Sequence, residues 1–383
     1  MGSGSRRLAW ARAREGGDDV ACAPLGKRAA SQGRARVRAA VVGVAGPVLL
    51  DEEAALFRAA PPAGAILFAR NVVDPAQLRA LTDALRRVLP EGAVILVDQE
   101  GGRVARLRPP HWRAHPPAAL IGALHGEDPA AGLRAAWLTG ALIGLDCAGA
   151  GFDVVCAPVL DLRLPGAHDV IGDRGFGPDP EEVARLGRAM AEGLMAAGVQ
   201  PMGKHAPGHG RAGVDSHLEL PRVDAGCRLD DDLRAFARCS DLPWMMTAHI
   251  LYAGLDAEWP GTLSPRVIHG VIRGRIGFQG VLVSDDLAMR ALSGSPGALA
   301  ARAVEAGCDL ALHCTGRPGD AEVVLRACPE LDAAGRRRMD VARDIAATRR
   351  RALDAHALAA ERDALLAGTA WGTPAGAAQD PTA

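Results

Sequence analysis

Short apolar runs alternate with longer helical patterns along the middle of the chain. Eight runs stand out: Ala40–Val44, Ala65–Phe68, Val94–Val97, Asp153–Ala157, Val199–Gly203, Trp244–Ala248, Val281–Val283 and Asp309–Leu312. Each is brief and apolar on both parities, the pattern of a strand covered on both faces. The stretches between them carry helix-start signals. Asp74-Pro75 opens a helix over Ala76–Val88, Asp179-Pro180 one over Glu181–Ala197, and Ser264-Pro265 one over Arg266–Ile276. In each, a capping side chain precedes proline at the first helical position. Eight such alternations predict an α/β fold of the (β/α)8 TIM-barrel type, with a doubly wound sheet as the competing arrangement. No linker divides this body, so a single domain over residues 39–366 is expected.

The flanks read differently. Residues 1–38 hold nine basic residues against Glu15, Asp18 and Asp19, with Gly and Ser clusters and no hydrophobic period. That composition predicts a disordered basic N-terminal extension. It lacks the apolar stretch of a secretory signal, and Arg6 stands where a myristoylation motif needs Ser or Thr, so a cytoplasmic location is expected. Residues 367–383, rich in Ala, Gly, Pro and Thr, are expected to form a flexible C-terminal tail.

Charge narrows the function classes. The 44 basic and 45 acidic residues leave a formal net charge of -1, so no overall field favours nucleic acid or a membrane surface. The apolar run at Ala39–Leu50 is well short of the ~18 apolar residues of a spanning helix. Eight cysteines include no Cys-x-x-Cys pair and are expected to be reduced and mostly buried. Of the Lys and Arg residues only Lys27 and Lys204 are lysines, and the chain has one Asn and one Tyr. This usage resembles the coding bias of a GC-rich genome. A lysine kept in the body of such a chain marks a position that needs a compact ammonium.

In a barrel the active site lies where strands end at their C-terminal edge. The polar residues that follow the apolar runs are Asp98, Asp161, Lys204 with His205, His249, Asp285 with Asp286, and His313. This rim concentrates Asp and His, the groups of acid/base and nucleophilic chemistry near neutral pH. The densest segment, KHAPGHG at Lys204–Gly210 continuing to Asp215-Ser216-His217, is broken by Pro and Gly and reads as a loop after the fifth strand. Its three histidines do not fit a metal helix, because Pro and Gly separate them and no Glu lies between, so no metal is expected. Asp215 and His217, two apart in an extended loop, project to the same side, where the carboxylate can fix the imidazole tautomer. Of the neighbours Asp285 and Asp286 only one can face the barrel axis; the other is expected to cap the following helix. The Gly-Gly after Asp98 is no phosphate fingerprint, and no cofactor motif is present.

These segments together resemble family 3 glycoside hydrolases, in particular the branch of cytosolic β-N-acetylhexosaminidases that acts in peptidoglycan recycling. The resemblance rests on KHAPGHG with DSH at Asp215–His217, VDQEGGRVARLR at Val97–Arg108, VIGDRGFGPDP at Val170–Pro180, MTAHILY at Met246–Tyr252 and SDDLAM at Ser284–Met289. It implies a retaining hydrolase with Asp285 as nucleophile, His217 as general acid/base and Asp215 as its orienting partner. It further implies that Asp98, Arg106, Arg174, Lys204 and His205 bind a terminal N-acetylglucosamine; His249, from its place at a strand end, is expected at the sugar as well. The implied substrate is an N-acetylglucosamine-containing muropeptide, with no cofactor, no nucleic acid and no membrane. A monomer is expected, since one chain holds the whole barrel and site. Two alternatives stay open: a substrate-assisted hexosaminidase using the Asp285 and Asp286 pair, and a non-catalytic sugar-binding barrel.

Overall fold

In the computed structural model, which describes residues 36–370, all eight apolar runs are strands of one closed parallel barrel. They are β1 (Arg38–Gly43), β2 (Pro62–Leu67), β3 (Val94–Val97), β4 (Val154–Val155), β5 (Gln200–Ala206), β6 (Trp244–Thr247), β7 (Val281–Asp286) and β8 (Leu310–His313). Each pairs with its neighbours in sequence, and β1 closes on β8 with Ala40 opposite Ala311 and Val42 opposite His313. Closure removes the open edges that a doubly wound sheet would leave. Central residues such as Val41, Ile95, Val155 and Val283 are wholly buried, as the two-parity apolar pattern requires.

The helix signals largely hold. Asp74 caps the helix Pro75–Val88 by accepting from the Gln77 amide, and Asp179 caps Pro180–Ala196 by accepting from Glu181 and Glu182. The segment after Ser264-Pro265 differs. Ser264 Oγ accepts from the Val267 amide, yet Arg266–Arg275 winds as a π-helix and closes with the Ile276 amide on the Val271 carbonyl. The adjacent pairs Val267-Ile268 and Val271-Ile272 form its buried face. The fifth strand also runs further than its apolar core suggests: Lys204, His205 and Ala206 lie in β5, and the loop starts at Pro207.

At the N-terminal mouth two aspartates join strands to outer helices. Asp309 accepts from the Leu282 amide at 2.8 Å, Arg273 at 2.8 Å and Arg338 at 2.6 Å. Asp153 accepts from the Ile95 amide and pairs with Arg86. These contacts serve stability, the usual role of that face.

Val37 and Arg38 already belong to the body, bonded to Leu331 and Pro61. Apart from residues 36–38 and 367–370, the expectations for the two flanks lie outside the described residues. Seven described cysteines are free and six of them are buried. Among the described residues no helix is long and apolar enough to cross a membrane.

The helices Pro129–Ala150 and Pro180–Ala196 pack backbone against backbone. A Cβ at Gly193 would lie 2.1 Å from the Trp137 carbonyl oxygen. Gly193→Ala is therefore expected to lower stability by about 1–3 kcal/mol through forced separation of the helices. Urea denaturation measures this, and kcat should stay at the parent value because the contact is remote from the strand ends.

Candidate active site

A cavity of about 580 Å³ opens at the C-terminal ends of the strands. Its wall includes Asp98, Glu100, Arg106, Arg174, Lys204, His205, Asp215, His217, Asp285 and Asp286. The segments quoted above, distant in sequence, therefore converge on one space.

One side of the cavity is a frame of alternating charge. Lys204, near the end of β5, places Nζ 2.7 Å from Asp98 and 2.6 Å from Glu100, while its side chain is only 3% exposed. Arg174 forks onto Glu100 with bonds of 2.8 and 2.9 Å. Arg106 reaches the other oxygen of Asp98 at 3.3 Å, and its guanidinium lies over the Phe68 ring. Burial works to raise both carboxyls. For Asp98 the charges of Lys204 and Arg106 outweigh it, and for Glu100 those of Arg174 and Lys204, so both are held below the usual carboxylate range. Lys204 and Arg174 are likewise held protonated by their acidic neighbours against the cost of burial.

The three histidines of the β5 segment each find a different partner. His205 Nδ1 lies 2.6 Å from Asp161, whose other oxygen accepts from the His209 amide at 2.6 Å. His209 Nε2 meets Ser216 Oγ at 3.0 Å, and burial pushes its imidazole down to about 4, so it is neutral near pH 7. His217 Nδ1 and its own amide both reach Asp215 Oδ1, at 2.8 and 2.9 Å. This is the dyad that the two-residue spacing predicts. Burial works to raise the Asp215 carboxyl, but the bonds from His217 leave it lowered. Among the described residues no group of three His, Cys, Asp or Glu side chains converges as metal ligands would.

Across the cavity, β7 ends in Asp285 and Asp286. Asp285 Oδ1 accepts from the Asp286 amide at 2.8 Å. Burial works to raise the Asp285 carboxyl; the imidazoles of His249 and His205, the Asp286 amide and His217 reverse this, so it is lowered and ionised at neutral pH. Asp286 Oδ1 accepts from the amides of Ala288 and Cys314, both at 3.0 Å. It thus ties a turn and the exit of β8 rather than capping a helix, since no helix begins until Pro296.

A family profile described as "Glycosyl hydrolase family 3 N terminal domain" matches residues 48–345. The chain belongs to glycosyl hydrolase family 3. Its relatives include a "Beta-hexosaminidase" of Bordetella parapertussis, 42% identical over 292 residues that cover 74% of this chain and 82% of the relative. Another from Alkalilimnicola ehrlichii is 42% identical over 299 residues, covering 76% and 84%. Among solved structures, NagZ from Neisseria gonorrhoeae in complex with N-trifluoroacetyl-D-glucosamine superposes with a TM-score of 0.76 at 32% identity, covering 86% of this chain and 98% of that one. Family 3 membership makes the chain a glycoside hydrolase and sets aside the non-catalytic barrel.

Among the family 3 site residues expected from sequence, all but one line the cavity. His249 is the correction. It is fully buried, with Nδ1 2.8 Å from Thr262 Oγ1 and Nε2 2.9 Å from the Asp286 carbonyl oxygen. Both ring nitrogens are engaged inside the protein, which leaves none for a sugar. His313, at the end of β8, is also buried, beside Thr315 and Asp320. Three contributors lacked an assigned role: Glu100, Asp161 and Ser216. The signal for Glu100 was present, because Asp98 and Glu100 are two apart and in extended chain share one side.

The charge frame makes a pH-dependent prediction for this family 3 site. Lys204→Met leaves Asp98 and Glu100 facing each other without the ammonium, and breaking a buried pair costs about 3–5 kcal/mol. Carboxyls lowered in the folded state contribute stability above their unfolded pKa of about 4, and it is lost as pH falls through the folded values. The parent and Lys204→Met should therefore differ most in unfolding free energy above about pH 5 and converge in acid, where the stranded carboxylates protonate. A constant difference from pH 7 to pH 3 in urea titrations would contradict this frame.

Proposed function

We propose that the chain is a retaining β-N-acetylhexosaminidase that removes terminal β-linked N-acetylglucosamine through a covalent glycosyl-enzyme. One observation carries the reading: an ionised Asp285 at a strand end and the Asp215–His217 dyad on a loop line the same cavity, with His217 close enough to influence the Asp285 carboxyl. A two-step displacement needs this division of labour.

In the first step the Asp285 carboxylate attacks the anomeric carbon while protonated His217 gives its proton to the departing sugar oxygen. In the second, neutral His217 takes a proton from water, the water oxygen attacks the same carbon, and Asp285 leaves as carboxylate. Two inversions return the original configuration. Asp215, bonded at Nδ1, leaves Nε2 as the nitrogen that exchanges the proton. An imidazole suits this work because its ordinary pKa of about 6.5 lies near neutral pH. Asp98, Arg106, Arg174, Lys204 and His205 offer charged and polar groups for the hydroxyls and acetamido group of the non-reducing sugar. The anchoring of Asp286 on two backbone amides favours this route over one in which the aspartate pair polarises the acetamido group.

The proposed natural substrate is N-acetylglucosaminyl-1,6-anhydro-N-acetylmuramic acid and its peptides, met in the cytoplasm by a monomer, with residues 39–366 as the catalytic domain. The sugar derivative bound by the Neisseria relative supports the glycone assignment. Turnover of that disaccharide beside an aryl β-N-acetylglucosaminide tests it, and cleavage of the aryl glycoside alone would refute the muropeptide assignment.

Asp285→Ala is expected to lower turnover of every substrate by at least about 10³-fold, because it removes a full chemical role. Activity within tenfold of the parent would overturn the assignment. His217→Ala should slow glycosylation far less for a dinitrophenyl glycoside than for a sugar leaving group, which needs the proton. The variant should show a phenolate burst, accumulate adduct on Asp285 and be partly rescued by azide. Because Asp285 and Asp215 are both lowered, neither should produce an activity transition above the ordinary carboxylate range near pH 4.

A further inference from the structure

The end of β7 is held by side chains where regular strand pairing gives out. Its pairing with β6 stops at Val283 opposite Met246, and its register against β8 shifts between Val283 and Asp286. Beyond that point the Asp285 amide donates to Thr247 Oγ1 at 3.3 Å, and Thr247 Oγ1 lies 2.7 Å from Thr262 Oγ1. Thr262 Oγ1 is 2.8 Å from His249 Nδ1, and His249 Nε2 is 2.9 Å from the Asp286 carbonyl oxygen. Thr247, Thr262 and His249 are each 0% exposed, so none of them is placed to touch a sugar.

The protons in this chain have a direction. A carbonyl oxygen only accepts, so His249 Nε2 carries hydrogen. Burial lowers the His249 imidazole and favours its neutral form, which leaves a lone pair on Nδ1. Thr262 then donates to Nδ1, Thr247 donates to Thr262, and the Asp285 amide donates to Thr247. The Ala248 carbonyl, 3.1 Å from Thr262 Oγ1, is the competing acceptor, but that choice would leave buried Nδ1 without a donor.

We propose that Thr247, Thr262 and His249 are positioning residues for Asp285: a one-way hydrogen-bonded circuit from the Asp285 N–H to the Asp286 C=O fixes the backbone that aims the carboxylate. This rests on the reading of Asp285 as nucleophile. It assigns His249 and Thr247, both in the MTAHILY segment, and Thr262, which lies outside the family segments, to the glycosylation step and not to sugar binding.

Thr262→Val keeps the shape and removes the hydroxyl at the centre of the circuit. Glycosyl-enzyme formation from a dinitrophenyl glycoside, followed in single turnovers, should slow about 30- to 100-fold, the scale of a small misplacement of a reacting group. The Kd for N-acetylglucosamine by calorimetry should stay within about twofold, and Thr262→Ser should recover the rate to within about threefold of the parent. Thr247→Val acts on the other side of the same bond and carries the test if Thr262→Val does not fold. The double variant should lose no more than the worse single one, because both break one circuit. A glycosylation rate within twofold of the parent, a parallel loss of binding, a Ser variant as slow as the Val variant, or additive losses would each overturn the proposal. Asp285→Ala keeps the two levels apart: if it stays active the nucleophile reading fails, whereas if it is dead and Thr262→Val is unimpaired only the circuit fails.

Discussion

One buried ammonium organises one side of the cavity. Lys204 arrives on β5 and meets two carboxylates that follow β3, and the Arg174 fork on Glu100 brings in the loop beyond β4. Three parts of the barrel rim are thus locked by charges that cannot easily find other partners, since isolated charges at such depth carry a large desolvation cost. The arrangement is sterically selective as well. A tetrahedral ammonium can sit between two carboxylates approaching from different directions, whereas a planar guanidinium is built to meet one of them as a fork. This explains why lysine persists here in a chain that uses arginine almost everywhere else.

Much of the fold was legible because both kinds of element announce themselves locally. The apolar runs and the Asp-Pro helix starts each need only a few consecutive residues, and the barrel follows from their number and order. What the sequence concealed depends on contacts across the barrel. The π-winding of Arg266–Arg275 carries no distinct start signal, as Ser264-Pro265 serves an α-helix equally well. The last residues of β5 look like loop because Pro207 and Gly208 follow immediately.

The candidate site divides in the same way. The Asp215–His217 pair is a two-residue relation and could be read directly. His249 stands directly after an apolar run, where a barrel displays functional groups, so position suggested a sugar contact. Its true partners are Thr262, 13 residues further on, and the Asp286 carbonyl, 37 residues away. Asp161 is hidden similarly, since it acts on His205 and His209 across 44 and 48 residues of chain. Chemistry confined to one segment is readable, whereas support borrowed from another strand is visible only after folding.

The two chemical groups are mounted very differently. Asp285 sits on a barrel strand whose neighbours fix its backbone, while Asp215 and His217 form a closed unit within one loop. That loop is fastened through Ser216, whose hydroxyl meets His209 and whose carbonyl accepts from the Ala291 amide. Both dyad bonds end on a single Asp215 oxygen, so the geometry of the pair is set within three consecutive residues. The Asp215–His217 pair is therefore a self-contained local unit. The stem that carries it is not interchangeable at will: Gly210 backs onto the Leu162 carbonyl, Arg211 pairs with Asp232 and Ala212 is buried, so replacing the pair by another acid means replacing its fastening as well.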